Sequence, residues 1–162
     1  MKITLKKLIA SSSVPASLIR AVVRQMGGWE TFTNYAPDIT RHGINGGFVG
    51  FTYYSDTVPF FKRNRAAICQ LVNDQAASLG ENPAEMVAGF GCIAGHASRE
   101  DYDYNGRMTE KRRAKLAEWM PDVSRCLYGG RINGDDNTVP NALAWFAAEE
   151  VARAYVDLTE QN

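Results

Sequence analysis

The sequence predicts an α+β fold, a mostly α-helical single domain of about six helices with a small β element around residues 47–54. Two observations support this prediction. Several segments repeat apolar residues with the 3.6-residue period of a helix and are bounded by Pro or Gly. The segment GFVGFTYY is instead rich in aromatic and β-favouring residues. The length of 162 residues suits one globular domain over 1–162.

The N-terminal part of the chain predicts two helices. Pro15 suits the first turn of a helix over about 15–26, which Gly27 and Gly28 would end. A second, short helix is predicted from Trp29 to Tyr35, because the following Ala36-Pro37 disfavours helical backbone. Residues 2–5 (KITL) are a further strand candidate.

The segment 47–54 places aromatic side chains on both faces of the predicted strand, so we expect it to be covered on both sides and to need a partner strand. Ser55 and Asp56 then predict the cap of a long helix over about 57–79. The last predicted helix has Pro140 near its start. Its apolar stripe comprises Leu143, Phe146, Ala147, Val151, Ala154 and Leu158.

The net charge is zero, from 18 Lys and Arg against 18 Asp and Glu, which excludes a bulk polyanion or polycation. The charge is nevertheless segregated along the chain. Residues 1–28 carry five cations and no acid, whereas residues 135–162 carry six acids against Arg153. Either the two ends pack together and neutralise each other, or they present opposite patches to partners.

The three cysteines, Cys69, Cys92 and Cys126, are odd in number, form no CxxC motif and have apolar neighbours. This pattern predicts buried reduced thiols and hence a reducing compartment. No stretch approaches the ~18 apolar residues of a membrane span. The expected location is therefore cytoplasmic, with no membrane partner.

One candidate binding site surrounds the predicted strand. Glycines would let a backbone approach a ligand closely, and polar side chains on both sides could converge on it. The glycines are not a phosphate loop, because they lead into a strand rather than into a helix. The alternative is a tight turn, a packed strand and a capping aspartate. The candidate residues are His42, Asn45, Gly46, Gly47, Tyr53, Tyr54 and Asp56.

A second candidate site is a metal loop. Asp101, Asp103 and Asn105 hold positions 1, 3 and 5 of an EF-hand-type calcium loop. Position 12, which should carry a bidentate Glu, is Arg112. The alternative is a polar turn, so we expect no cofactor unless residues 101–109 bind calcium.

A basic run at residues 107–115 could contact nucleic-acid phosphates, but a solvated helix surface is the more usual explanation. The sequence pI near 6.7 argues against avid nucleic-acid binding. Nucleic acid is therefore a partner that we do not favour.

The stretches HGINGGFVGFTYYSDTVPFF and PNALAWFAAEEVARAYVDL resemble small uncharacterised proteins encoded by bacteriophages and prophages, a family of unassigned activity. The resemblance implies an accessory protein that acts in the cytosol of an infected bacterium. Small phage proteins of this class often bind and inhibit a host machine, including a host defence component. The resemblance carries over no catalytic residues.

No catalytic constellation in the sequence is complete, and only two histidines are present. We therefore expect a non-enzymatic protein that binds and modulates or inhibits a host macromolecule, with a host protein as partner. The alternative is a small enzyme whose site lies around the Gly-rich loop and strand 42–56. The sequence does not indicate the partner's identity or the oligomeric state.

Overall fold

The computed structural model describes residues 2–44, 48–80 and 138–161. The chain divides into two compact units, one formed by Met1–Phe60 with Ala144–Asn162 and the other by Phe61–Leu143. Residues 1–28 and the acidic residues Glu149, Glu150, Asp157 and Glu160 therefore belong to the same unit. The described residues form five helices: α1 (Leu5–Ser11), α2 (Ala16–Gln25), α3 (Trp29–His42), α4 (Tyr54–Leu79) and α5 (Thr138–Glu160).

The predicted α+β class is wrong, because the described residues are mostly helical and include no strand. Residues 48–53 of the expected β element form turns and bends instead. Phe51 N donates to Phe48 O at 2.8 Å, which closes a turn, and Gly50 has a φ of +85°. The turn and the positive φ interrupt the extended backbone that a strand of residues 47–54 would need.

The α1 helix begins at Leu5, the last residue of the strand candidate 2–5, and residues 2–4 form no strand. Thr4 is its N-cap, and the Thr4 hydroxyl accepts a hydrogen bond from Lys7 N at 3.1 Å. Ile3 and Leu8 stand on either side of this cap at the two positions of a hydrophobic staple, and both are buried. The capping chemistry of Thr4 explains why the segment turns into a helix.

The α2 helix agrees with its prediction. Gly28 N donates to Val23 O at 2.9 Å, and Gly27 and Gly28 both have positive φ, so the helix ends at the expected glycines. Its exposed face carries Arg20 and Arg24. Its buried face comprises Leu18, Ile19, Val22 and Val23.

The α3 helix continues past Pro37, so the predicted end at Tyr35 is wrong. A proline inside a helix removes one backbone hydrogen bond and crowds the preceding turn. Phe32, Ala36 and Ile39 are nevertheless all buried, and their spacing keeps them on one face. We infer that burial of this face compensates for the missing bond.

The α4 helix begins at Tyr54, three residues before the predicted start. Asp56 stands at the third helical position, and its Oδ2 accepts a hydrogen bond of 3.3 Å from Tyr53 N, as in a capping box. The α5 helix confirms the predicted apolar stripe: Leu143, Phe146, Ala147, Val151 and Leu158 are buried, and Ala154 is half-buried.

In the unit Phe61–Leu143, the part of α4 that follows Phe60 buries one face that includes Ile68, Cys69 and Val72. Cys69 is joined in a disulfide, so the predicted reduced thiol is wrong at this position. Cys92 and Cys126 lie outside the described residues.

Among the helices that the structure describes, we find none with the length and apolar character of a membrane span.

Candidate functional site

The loop of residues 48–54, here called the aromatic loop, is held by side chains from two helices. Gln25 Nε2 from α2 donates to Gly50 O at 2.9 Å and to Asp56 O at 3.2 Å. Trp145 Nε1 from α5 donates to Phe51 O at 2.8 Å. These side chains satisfy carbonyl groups that a partner strand would otherwise satisfy.

The aromatic loop approaches the end of α2 very closely at Gly50. A Cβ atom built on Gly50 would lie 2.0 Å from the carbonyl oxygen of Gln25, well inside van der Waals contact. The backbone there also has a φ of +85°, which disfavours other residues. Gly50 therefore permits the contact that lets Gln25 bind the loop.

Phe51 and Phe48 anchor the loop by their rings. The Phe51 side chain is fully buried and meets the ring of Phe60 edge to face, with centroids 5.0 Å apart. Phe48 is half-buried, and its ring lies 5.4 Å from the ring of Tyr35 on α3. The loop is thus packed on one side and hydrogen-bonded along its backbone.

The other side of the loop is exposed and strongly apolar for a surface. Val49 is 55% exposed and Tyr53 is 69% exposed, and Tyr54 also lies on the surface. Tyr35, through its contact with Phe48, extends this surface onto α3. We call Tyr35, Phe48, Val49, Tyr53 and Tyr54 the aromatic surface.

A half-buried carboxylate, that of Glu149, ties the chain just after α3 to α5. Glu149 Oε1 accepts a hydrogen bond of 2.9 Å from Ile44 N. Burial raises the pKa of the Glu149 carboxyl above its usual range, and the charge of Glu150 raises it further, while the Ile44 amide and Arg153 oppose the rise. Glu149 therefore acts as a partly desolvated acceptor that holds the segment leading to the aromatic loop.

The structure describes four of the seven predicted site residues. His42, Tyr53 and Tyr54 are exposed, and the Asp56 carboxylate accepts the amide of Tyr53 as a helix cap. Asn45, Gly46 and Gly47 lie outside the described residues, so convergence of the seven residues on a ligand stays a prediction.

The predicted calcium ligands Asp101, Asp103 and Asn105 lie outside the described residues, as does the basic run 107–115. Within the part of the chain that the structure describes, His, Cys, Asp and Glu form no group of three that could hold a metal ion.

Sequence reasoning missed three residues of the aromatic surface, Tyr35, Phe48 and Val49. Strand alternation placed Val49 on the same face as Phe51 and Tyr53. In the structure Val49 and Tyr53 are exposed whereas Phe51 is buried, because the turn at Gly50 breaks the alternation. Tyr35 carried no sequence signal, since its partner Phe48 comes from a different element.

These observations define a helical domain in which both ends of the chain form one compact unit that presents an anchored aromatic loop. The chain belongs to the family of the DUF7222 domain, a domain of unknown function, whose family model matches residues 16–161. This confirms the prediction of an uncharacterised family, while nothing in the match indicates a bacteriophage origin. No curated protein and no solved structure matches the chain.

Proposed function

We propose that this protein is a non-enzymatic binding domain that engages a partner protein through its aromatic surface. The observation that carries the proposal is the combination of an exposed apolar side and an anchored backbone in the aromatic loop. Tyr53 and Val49 face solvent, while Gln25 and Trp145 hold the loop carbonyls beneath them.

The anchoring matters because a flexible loop loses conformational entropy when it binds. Ordering of side chains and loops is one of the main costs of association, so a loop already held in place binds more tightly. Three independent contacts order this loop before any partner arrives: the Gln25 and Trp145 hydrogen bonds and the buried ring of Phe51.

The side chains of the aromatic surface favour a protein as the partner. Tyrosine offers a large apolar ring with a hydroxyl group and is enriched in the energetic centre of protein interfaces. Residues 48–54 contain no charged side chain. Exposed rings can also stack on nucleic-acid bases, but such sites combine stacking with a basic groove, which an uncharged loop does not supply. The matching partner surface is therefore apolar, with polar groups that accept from the tyrosine hydroxyls.

We further propose that the partner is a host protein, with host defence components as one class, and that the chain is a phage-encoded accessory protein that modulates or inhibits it. The support is the resemblance of residues 42–61 and 140–158 to phage and prophage proteins. In this proposal the aromatic surface covers a functional surface of the host protein and does no chemistry itself.

The proposed compartment is the bacterial cytosol. The proposed compartment can be tested separately from the binding function, because Cys69 is joined in a disulfide and cytosolic thiols are kept reduced. Rapid alkylation of expressing cells followed by mass spectrometry reports the state of Cys69. A reduced Cys69 supports the cytosol, whereas a disulfide in freshly alkylated cells contradicts it.

Site-specific photo-crosslinking tests the binding function. A photoreactive phenylalanine analogue replaces Tyr53 in one variant and Leu79 in a matched control, because Leu79 is similarly exposed (64%) but lies at the end of α4. We expect a discrete crosslinked host protein from position 53 and none from position 79. Val49→Asp should then reduce the affinity of the purified pair at least about tenfold.

Two results would overturn the proposal. One is the same set of crosslinks from both positions, which would indicate nonspecific adhesion. The other is an affinity that Val49→Asp leaves unchanged. No observation in the described part of the chain favours the alternative enzyme around 42–56, since the Asp56 carboxylate already caps α4.

A further inference from the structure

The ends of α1 and α5 enclose a groove that the proposed binding function does not use. It has a volume of about 220 Å³ and lies within the unit that joins the two chain ends. On one side it is lined by Leu8 and by Ser11, Ser12 and Ser13, where α1 ends. On the other side it is lined by the last two turns of α5 and by Gln161. We call it the serine groove.

The serine groove has an apolar floor and a polar rim. Leu8 and Leu158 are buried, and Ala154 between them is half-buried, so these three residues form the apolar part. The rim includes the exposed residues Ser11 and Ser13 on one side and Asp157 and Gln161 on the other. A ligand that fits must therefore combine a short apolar body with a polar head.

The electrostatics of the groove select a cation for that head. Among the lining residues, all of which the structure describes, Asp157 carries a charge and no Lys, Arg or His is present. The carbonyl groups at a helix C-terminus carry partial negative charge, which a basic side chain in the last turn commonly offsets. Neither α1 nor α5 has a basic residue in its last turn. The partial negative charges of the two helix C-termini and the charge of Asp157 therefore together make the electrostatic potential of the groove negative.

The hydrogen-bonding groups of the rim match an ammonium ion. An ammonium group has three donors and no acceptor. The Asp157 carboxylate, the hydroxyls of Ser11 and Ser13 and the Gln161 amide oxygen are all acceptors. The volume is below the ~300–1,000 Å³ of pockets for drug-sized molecules, which limits the apolar body to a short chain.

We propose that the serine groove binds a small alkylammonium group, whose carbon chain lies against Ala154 and Leu158 and whose ammonium ion pairs with Asp157. The inference is independent of the aromatic surface, because no residue of the groove belongs to it. The serines and Leu8 also precede residues 16–161, so this side of the groove lies outside the stretch that the family model matches.

Calorimetry on the full chain tests the proposal with pentylammonium chloride as the probe and 1-pentanol as its neutral control. We expect millimolar binding of the amine and markedly weaker binding of the alcohol. Asp157→Asn should weaken amine binding about tenfold through loss of the charge-assisted hydrogen bond. Glu160→Gln is the matched control, since Glu160 is an exposed acid on the same helix but does not line the groove.

Asp157 is exposed, so the Asp157→Asn variant should fold, and circular dichroism verifies this. Equal binding of 1-pentanol would overturn the proposal, as would equal losses in the two variants or no binding of the amine. An Nα-acetyl-lysine amide probe distinguishes two sources of the same chemistry. If the lysine amide binds more tightly than pentylammonium, the natural ligand is a lysine side chain of a partner protein. If it binds more weakly, the natural ligand is a free amine.

Discussion

The indole Nε1 of Trp145 donates a 2.8 Å hydrogen bond to the carbonyl oxygen of Phe51, across 94 residues of sequence. This bond joins the last helix to the aromatic loop. Because the Phe51 side chain is fully buried next to this carbonyl, few water molecules can replace the indole. The proposed binding surface therefore depends on a residue that does not belong to it.

Trp145→Phe should destabilise the protein by about 1–3 kcal/mol, because it leaves the Phe51 carbonyl without its donor. Urea denaturation followed by circular dichroism measures the loss. Tyr155→Phe is the control, since it keeps a ring that meets Trp29 and Phe32 at 5.6 and 5.7 Å. This control should change the free energy of unfolding by less than about 0.5 kcal/mol. Equal losses would show that the indole bond is unimportant.

Gly50→Ala should destabilise the protein more than Gly80→Ala. Both glycines have positive φ, so each substitution carries a backbone strain of about 1–2 kcal/mol. At Gly50 the new methyl group also overlaps the Gln25 carbonyl, whereas nothing lies within 4 Å of a Cβ on Gly80. The difference between the two melting temperatures isolates this overlap. A difference of zero would mean that α2 and the loop separate without cost.

Glu149→Gln should stabilise the protein at pH 7.5, because the amide oxygen can still accept from Ile44 N without burying a charge. Burial raises the pKa of Glu149 in the folded state. The stabilisation of the folded state by this carboxyl is therefore fully present at pH values below the pKa that the group has in the unfolded chain. It is lost as the pH rises through the pKa that the group has in the folded state. Glu149→Gln should raise the melting temperature above that of the wild-type protein by roughly 2 °C at pH 7.5, and by less at pH 4.

Glu149→Leu provides the matching control for the hydrogen bond. It also removes the charge but leaves the Ile44 amide without an acceptor, so it should destabilise by about 1–3 kcal/mol. If Gln and Leu at this position had the same effect, the bond to Ile44 would contribute nothing.

Millimolar calcium should produce no heat of binding and no change in melting temperature. Arg112 stands where an EF-hand loop carries a bidentate Glu, which removes two oxygen ligands and adds a positive charge. Isothermal titration calorimetry with magnesium as a comparison measures this directly. Saturable calcium binding that Asp101→Asn and Asp103→Asn abolish would establish the loop as a metal site.

Helical periodicity predicted much of the fold because it reports burial directly. Leu18 and Val22 on α2 and Met26 at its C-cap recur at helical spacing in the sequence, and all three are buried. The predicted end of α3 at Tyr35 was wrong because the local preference of Pro37 against a helix takes no account of tertiary packing. Ile39, two residues later, is buried. Tertiary packing outweighed the local preference there.

The aromatic loop was misread because its aromatic and β-favouring residues are typical of a strand. The donors that satisfy its carbonyls are Gln25 and Trp145, one 25 and the other 94 residues away in sequence. No local pattern identifies such donors. The alternative from the sequence was a tight turn, a packed strand and a capping aspartate. Asp56 does cap α4, and a turn is closed between Phe48 and Phe51, but the packed strand of that alternative is wrong.

The division of the first unit between the two ends of the chain has a consequence for biosynthesis. Its first three helices leave the ribosome long before Ala144–Asn162, which completes the unit. At translation rates of ~5–20 residues per second, the nascent chain waits several seconds for Trp145 and Glu149 to be synthesised. During that interval Trp29 and Phe32 of α3 lack Tyr155 of α5, and a chaperone that recognises exposed apolar segments has time to bind α3.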